Sequence, residues 1–299
     1  MRYRQLGNTG LKVSEIGTGC WAIGGNQFGN SYGFTGDEES ISAIRRAVEL
    51  GCNFFDTADV YGHGHSEELL GQALKHVRNE IIIATKVGGN FYGPYPKADF
   101  SEKYLFFAVE KSLERLQTDT IDLYQLHNPP IEMIQKGDLF KPLDKLKKEG
   151  KIRFYGLSIH DPLEGVISME VSKPATIQVV YNAIRRYAET ELFPKAKEKG
   201  VGIIAREPLH NGFLTGKYQI SDTFIPGDIR HDWPKEYIAR ILEVVEKWKR
   251  QQRSSTLSLT QLSLRFVLSN DAVSCVIPGT KTVKQVEENL GASLGSVSG

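Results

Sequence analysis

The chain has 299 residues, 37 basic against 36 acidic side chains and 40% hydrophobic residues. That balance gives no field to gather nucleic acid or an anionic membrane, so no nucleic-acid or membrane partner is expected and small-molecule chemistry is favoured. No stretch reaches the ~20 apolar residues of a membrane-spanning helix, and the opening MRYRQLGNTGLKVSEIG lacks a signal-peptide core, so a cytoplasmic protein is expected.

In chain order, YRQLGNTGLKVSEI predicts an N-terminal β-hairpin turning at Gly7-Asn8-Thr9-Gly10. Eight short apolar runs rich in β-branched residues follow: SEIGTGCW, CNFFDTAD, EIIIATKVG, TIDLYQLH, IRFYGLSIH, TIQVVYNA, GIIAREPL and VSCVIPGT. Amphipathic helices separate them. In the first, Thr35 and Glu38 stand at capping-box spacing, Ile41, Ile44 and Val48 repeat at helical spacing, and Gly51 is the stop. A later one has Ser101 as N-cap and Leu105, Ala108, Val109, Leu113 and Leu116 as its buried stripe. The gap from Leu209 to Val273 holds the loop NGFLTGKYQISDTFIPGDIRHDWP and then two helices. One carries Tyr237, Ile241, Val244, Val245 and Trp248, and the other runs near Leu259 to Leu268. Only GASLGSVSG follows the last predicted helix, an expectation of an open pocket without an extended C-terminal wall. Cys20, Cys52 and Cys275 sit in apolar strand contexts with no metal-like spacing, so buried free thiols are expected, with neither disulfide nor metal site.

Strand and helix alternate on short connections, which demands parallel strands and right-handed crossovers. Eight repeats predict the α/β class as a (β/α)8 TIM barrel with an N-terminal β-hairpin and extra C-terminal helices, one domain over residues 1–299. A doubly wound sheet would put a glycine-rich phosphate loop directly after the first strand. Here the long GCWAIGGNQFGNSYGFTGDEES intervenes, and its GGNQFG is only a weak near-match.

In a barrel the functional face lies at the C-terminal ends of the strands. Asp56, Lys86 and His127 end the second, third and fourth strand runs, and Tyr61 lies five residues past Asp56. Each has a bland reading alone: Asp56 as a turn cap, Lys86 as a solvated strand-end charge, His127 bonded to backbone before Asn128-Pro129-Pro130. Together they make a proton-transfer set. A tyrosine is a poor acid near neutrality unless a cation stabilises its phenolate, and a lysine held by an aspartate supplies that cation.

FFDTADVYG, ATKVG, LYQLH and VIPGTKTVKQVEENL, in that order and across essentially the whole chain, resemble the motifs of the aldo-keto reductase superfamily. The resemblance implies a barrel that binds NADPH, with NADH possible, and interconverts a carbonyl (aldehyde, ketone or sugar) with its alcohol. In that family Tyr61 would donate the proton, Lys86 would depress its pKa, Asp56 would hold Lys86, and His127 would orient the carbonyl and share the proton transfer. Ser158 and Gln178 would bind the nicotinamide carboxamide, with Ile159 where one common pattern has asparagine, and Arg206 would stand where an aromatic stacks on the ring. Cys20, Trp21 and Pro208 would join that cofactor wall. In PLHNGFLTGKY, Leu209, Gly212, Leu214, Thr215 and Gly216 would supply small residues and backbone donors for the pyrophosphate. Gly279, Thr280 and Lys281 would meet the 2′-phosphate end, and Glu288 and Asn289 the adenine; Gln285 replaces an arginine common in the family.

The substrate wall is expected from Trp21, Phe28, Tyr32 and Phe34, from Tyr92 within the insertion GNFYGPYPKADF, and from Trp233; such aromatics suit an apolar carbonyl or a sugar face. Two other readings stand beside this one: a cofactor-binding regulatory subunit resembling potassium-channel β-subunits, and a Schiff-base aldolase using Lys86. The sequence leaves substrate, reaction direction and oligomeric state open.

Overall fold

The computed structural model describes residues 1–25, 27–28, 32–93, 96–252 and 255–294, with nothing stated for the side chains of residues 251 and 294. Parts of the first loop (26 and 29–31), of the aromatic insertion (94 and 95) and of the C-terminal tail (295–299) therefore lie outside the described residues.

The eight apolar runs form eight parallel strands: β1 Thr18–Gly19, β2 Phe54–Asp56, β3 Ile82–Val87, β4 Ile121–His127, β5 Ile152–Ser158, β6 Thr176–Val180, β7 Gly202–Arg206 and β8 Val273–Ile277. They pair in sequence order, and parallel bridges Ile16–Val276 and Gly19–Gly279 join the first to the last, closing a barrel. Neighbouring strands in register put Asp56 opposite Ala84, Lys86 opposite Gln125 and His127 opposite Ser158, so the ends of β2 to β5 share one corner.

The ten helices among the described residues are α1 Asp37–Glu49, α2 His65–Leu74, α3 Glu102–Leu116, α4 Ile131–Lys136, α5 Lys141–Lys148, α6 Pro162–Val171, α7 Leu192–Lys199, α8 Lys235–Gln252, α9 Leu259–Leu268 and α10 Val283–Leu294. None is long and apolar enough to cross a membrane. The pairs α4–α5 and α8–α9 add helices after β4 and β7, and α10 continues through the GASL predicted to lie beyond it. Ser101 caps α3 as expected, its hydroxyl accepting from the Tyr104 amide at 3.3 Å. The Thr35–Glu38 capping box does not form: Gly36 is the N-cap of α1, and the Thr35 hydroxyl instead donates to the Ala22 carbonyl at 3.0 Å, tethering the β1–α1 loop.

The hairpin pairs Tyr3–Gln5 with Lys12–Ser14, and its Leu6, Leu11 and Val13 plug the N-terminal end of the barrel against Phe54, Ile82, Leu123 and Ile204. Fully buried aliphatic and aromatic side chains of this kind contribute roughly 1.5–3 kcal/mol each, which fixes the scaffold and leaves the opposite end for chemistry. A second apolar layer lies between strands and helices and includes Ile83, Val109, Leu157 and Val267. All three cysteines are buried and free.

Candidate active site

A cleft of about 1130 Å³ opens over the C-terminal strand ends. This exceeds the ~300–1000 Å³ of ordinary small-molecule sites and leaves room for a dinucleotide beside a substrate. Among the described residues six non-glycines have left-handed backbone, and four of them, His63, Asn128, Glu207 and Asn211, line this cleft. Strain of this kind concentrates where loops are held for function.

Asp56, Lys86, Tyr61 and His127 meet at one end. Lys86 is fully buried; its ammonium pairs with Asp56, donates to the Thr57 carbonyl at 2.8 Å and lies 3.3 Å from the Tyr61 hydroxyl. The His127 ring stands edge-on to Tyr61, with centroids 6.0 Å apart. The second carboxylate oxygen of Asp56 accepts from the Gln178 amide at 2.7 Å and the Gln125 amide at 3.0 Å. Gln125, inside the quoted LYQLH, was given no role by the sequence; only its place opposite Lys86 across β3–β4 reveals one.

The electrostatics of the corner bear on two of these roles, and Lys86 does lower the Tyr61 pKa as expected. Burial pushes the Tyr61 phenol above its ordinary value near 10; Lys86 pulls it down, Asp56 pushes it up, and the net is upward, so Lys86 offsets the burial cost without leaving an acidic phenol. His127 is driven well below its ordinary 6.5, first by burial and then by Lys86, Arg206 and His160. It is therefore a neutral imidazole, able to donate a hydrogen bond. Lys86 itself stays charged: burial lowers its pKa, but Asp56 and Tyr61 raise it more.

The proposed cofactor residues mostly follow the cleft. Cys20, Trp21, Ser158, Gln178, Arg206, Pro208 and Leu209 line it, as do Gly212, Thr215, Gly279, Lys281, Gln285, Glu288 and Asn289. The Arg206 guanidinium pairs with Glu207 and donates to the Ile159 carbonyl at 3.0 Å, while its Nε has no partner. A side chain at Gly279 would meet open space, so this strand end presents bare backbone to the cleft.

The pyrophosphate expectation is revised. Phe213–Thr215 form a tight turn in which the Gly212, Leu214, Thr215 and Gly216 amides donate to carbonyls within the same loop, so they are not free donors. Leu214 is wholly buried, and Leu214, Gly216 and Thr280 do not line the cleft. The loop brings in two cations that the sequence did not single out, Lys217 and Arg230. Arg230 is buried, paired with Asp228 at 2.6 Å and packed over the rings of Tyr32, Tyr218 and Phe224. Lys281 donates to the carbonyls of Tyr32 at 2.5 Å, Gly33 at 3.3 Å and Phe34 at 3.4 Å, so any phosphate must compete with three neutral acceptors. Gln285 accepts from the Lys281 amide at 2.8 Å, and Glu288 is held by Ser258 at the start of α9.

Of the expected substrate wall, Trp21, Phe28 and Tyr32 line the cleft. Tyr92 and Trp233 do not: Tyr92 sits outside, its hydroxyl accepting from Arg115, and Trp233 stacks on Phe213 in an apolar cluster beneath the long loop. Phe34 is exposed beyond the wall.

The Aldo/keto reductase family matches residues 20–296. Among relatives, the "Uncharacterized oxidoreductase YqkF" of Bacillus subtilis is 35% identical over 98% of this chain and 91% of its own length. The aldo-keto reductase yakc of Schizosaccharomyces pombe, whose name carries NADP(+), is 34% identical over 97% and 86%. The solved structure of the glycerol dehydrogenase from Gluconobacter oxydans superposes with a TM-score of 0.86 at 30% identity, covering 99% of this chain and 91% of that one.

Proposed function

The chain belongs to the aldo/keto reductase family of oxidoreductases, and on that premise we propose that it is an NADPH-dependent enzyme interconverting an aldehyde, ketone or sugar carbonyl with its alcohol. Bound NADPH would supply the hydride, because no side chain can. Tyr61 donates the proton to the carbonyl oxygen. With its pKa raised, the phenol is protonated at neutral pH, the form reduction requires, and Lys86 lies 3.3 Å away to stabilise the phenolate left behind. Asp56, itself held by Gln125 and Gln178, fixes Lys86 as a cation. Neutral His127 donates a hydrogen bond that orients the carbonyl.

The observation that carries this reading is the buried Asp56–Lys86–Tyr61 chain beside a cleft with volume enough for a dinucleotide. Ser158 and Arg206 would face the nicotinamide, and Lys281, Lys217 and Arg230 the phosphates. The test is a fluorescence titration with NADPH and NADH, followed by turnover of aldehydes, ketones and sugars, with glycerol included for the reverse direction because a structural neighbour bears that name. Tight NADPH binding with turnover abolished in Tyr61→Phe is the expected result. Binding without any turnover would favour the cofactor-binding regulatory reading, and no nucleotide binding would overturn the proposal.

A further inference from the structure

The turn that carries Tyr61 is clamped from both sides. Gly62, His63 and Gly64 have φ of +60°, +52° and +98°, three consecutive left-handed residues. A Cβ on Gly62 would lie 2.0 Å from the Gly24 carbonyl oxygen, and one on Gly64 would lie 2.5 Å from Cδ of Arg115 and 2.6 Å from its Nε. The β1–α1 loop thus supports one side of the turn and the Arg115 side chain, from α3, the other.

Arg115 is anchored in turn. Its Nε donates to Glu67 on α2 at 2.7 Å and its Nη1 to the Tyr92 hydroxyl at 2.7 Å. Glu67 is completely buried, and its other oxygen accepts from the Thr85 hydroxyl at 2.5 Å. Thr85 immediately precedes Lys86 in β3. One step along α2, Ser66 is 2.8 Å from the Thr57 hydroxyl, beside Asp56, and donates to the Cys20 carbonyl. A buried ion pair stabilises poorly compared with apolar packing, because both charges lose water. Here it links the strand bearing Lys86 to the turn bearing Tyr61.

We infer that Arg115, through Glu67, is a positioning residue that sets the Tyr61 turn against Lys86. This rests on the proposed reductase reading, since it assigns Arg115 a part in placing that reading's proton donor. Lysine cannot make both of arginine's forked contacts, so Arg115→Lys keeps the charge and loses the geometry.

The experiment compares wild type, Tyr61→Phe, Arg115→Lys and Glu67→Gln, each loaded with NADPH, for cofactor Kd, Tm, carbonyl KM, kcat and the pH profile of kcat. Displacements near 1 Å cost about 10²-fold, so Arg115→Lys is expected to lose roughly 10- to 100-fold in kcat, with KM and NADPH Kd within about twofold of wild type. The alkaline limb of reduction should also move up: Lys86 pulls the Tyr61 phenol down, Asp56 pushes it up, Arg206 pulls it down, and neutral His127 faces the same ring, so a turn displaced from Lys86 leaves a weaker acid. Glu67→Gln covers the case in which Arg115→Lys does not fold. Asp59, fully buried in the same cluster and held up by burial and by Glu67, can then ionise toward Arg115 and keep the charge balanced. A lower Tm with wild-type kcat and an unmoved alkaline limb would make Arg115 merely structural and overturn the inference. Wild-type turnover that survives Tyr61→Phe would remove the reductase reading and this inference together, which the parallel controls separate from failure of the inference alone.

Discussion

Replacing Gly62 by alanine tests how tightly the fold holds the proposed proton donor. The new Cβ would sit 2.0 Å from the Gly24 carbonyl oxygen and 2.9 Å from its carbon, both backbone atoms, so reaching even a tight 3.0 Å contact requires about 1 Å of main-chain movement (3.0 less 2.0). The left-handed backbone at φ +60° adds roughly 1–2 kcal/mol for a residue with a Cβ, and overpacking a dense region adds ~1–3 kcal/mol. The expected loss is about 2–5 kcal/mol, read by thermal or urea unfolding, with a Tm lower by roughly 3–8 °C. Gly10→Ala is the control: φ is +76° and nothing lies within 4 Å of the added carbon, so only the backbone cost of about 1–2 kcal/mol remains. Because Tyr61 precedes the substitution, kcat should fall by about 10²-fold in Gly62→Ala and stay near wild type in Gly10→Ala. Equal destabilisation by the two, or unchanged turnover in Gly62→Ala, would refute the argument that this contact sets the turn.

Lys86→Met should reduce kcat by ~10²-fold or more in a steady-state assay and destabilise by about 3 kcal/mol, the lower end for a broken buried pair, because Asp56 keeps its Gln125 and Gln178 donors. Lys281→Ala should weaken NADPH by about tenfold and NADH little in a fluorescence titration, since three neutral carbonyls are its competing partners and a charge-assisted bond to phosphate is stronger. Burial pulls His210 from its ordinary 6.5 down to about 4, so the unfolded chain binds the proton more readily. Its contribution is present above pH 6.5, is lost as pH falls through 4 and amounts to about 3 kcal/mol; urea unfolding of wild type and His210→Gln across that window should show a shallower acid loss in the variant.

The barrel was legible because its signals are local: alternating apolar runs and amphipathic stripes mark each strand and helix, and α9 falls on the predicted Leu259–Leu268. The corner joining Asp56, Lys86 and His127 was legible because parallel strands in order place their ends together. What the sequence hid depends on long-range pairing. Thr35 had the right spacing to cap a helix, but a carbonyl from another loop takes its hydroxyl. Glycines in NGFLTGKY look like a phosphate cradle, yet their amides close a turn of their own. Gln125 and Arg115 act on partners 69 and 48 residues away, beyond any local pattern. The direction of the Tyr61 shift depends on how much water the fold excludes, which residue types alone do not specify.

The proposed reduction turns on Tyr61 protonating a carbonyl as it receives a hydride. Its most direct test is single-turnover reduction with nicotinamide-deuterated NADPH, comparing wild type with Tyr61→Phe. Wild type should place one deuterium on the former carbonyl carbon, and the variant should react about 10²–10⁴-fold more slowly with NADPH affinity retained. Deuterium transfer by Tyr61→Phe at the wild-type rate would contradict it.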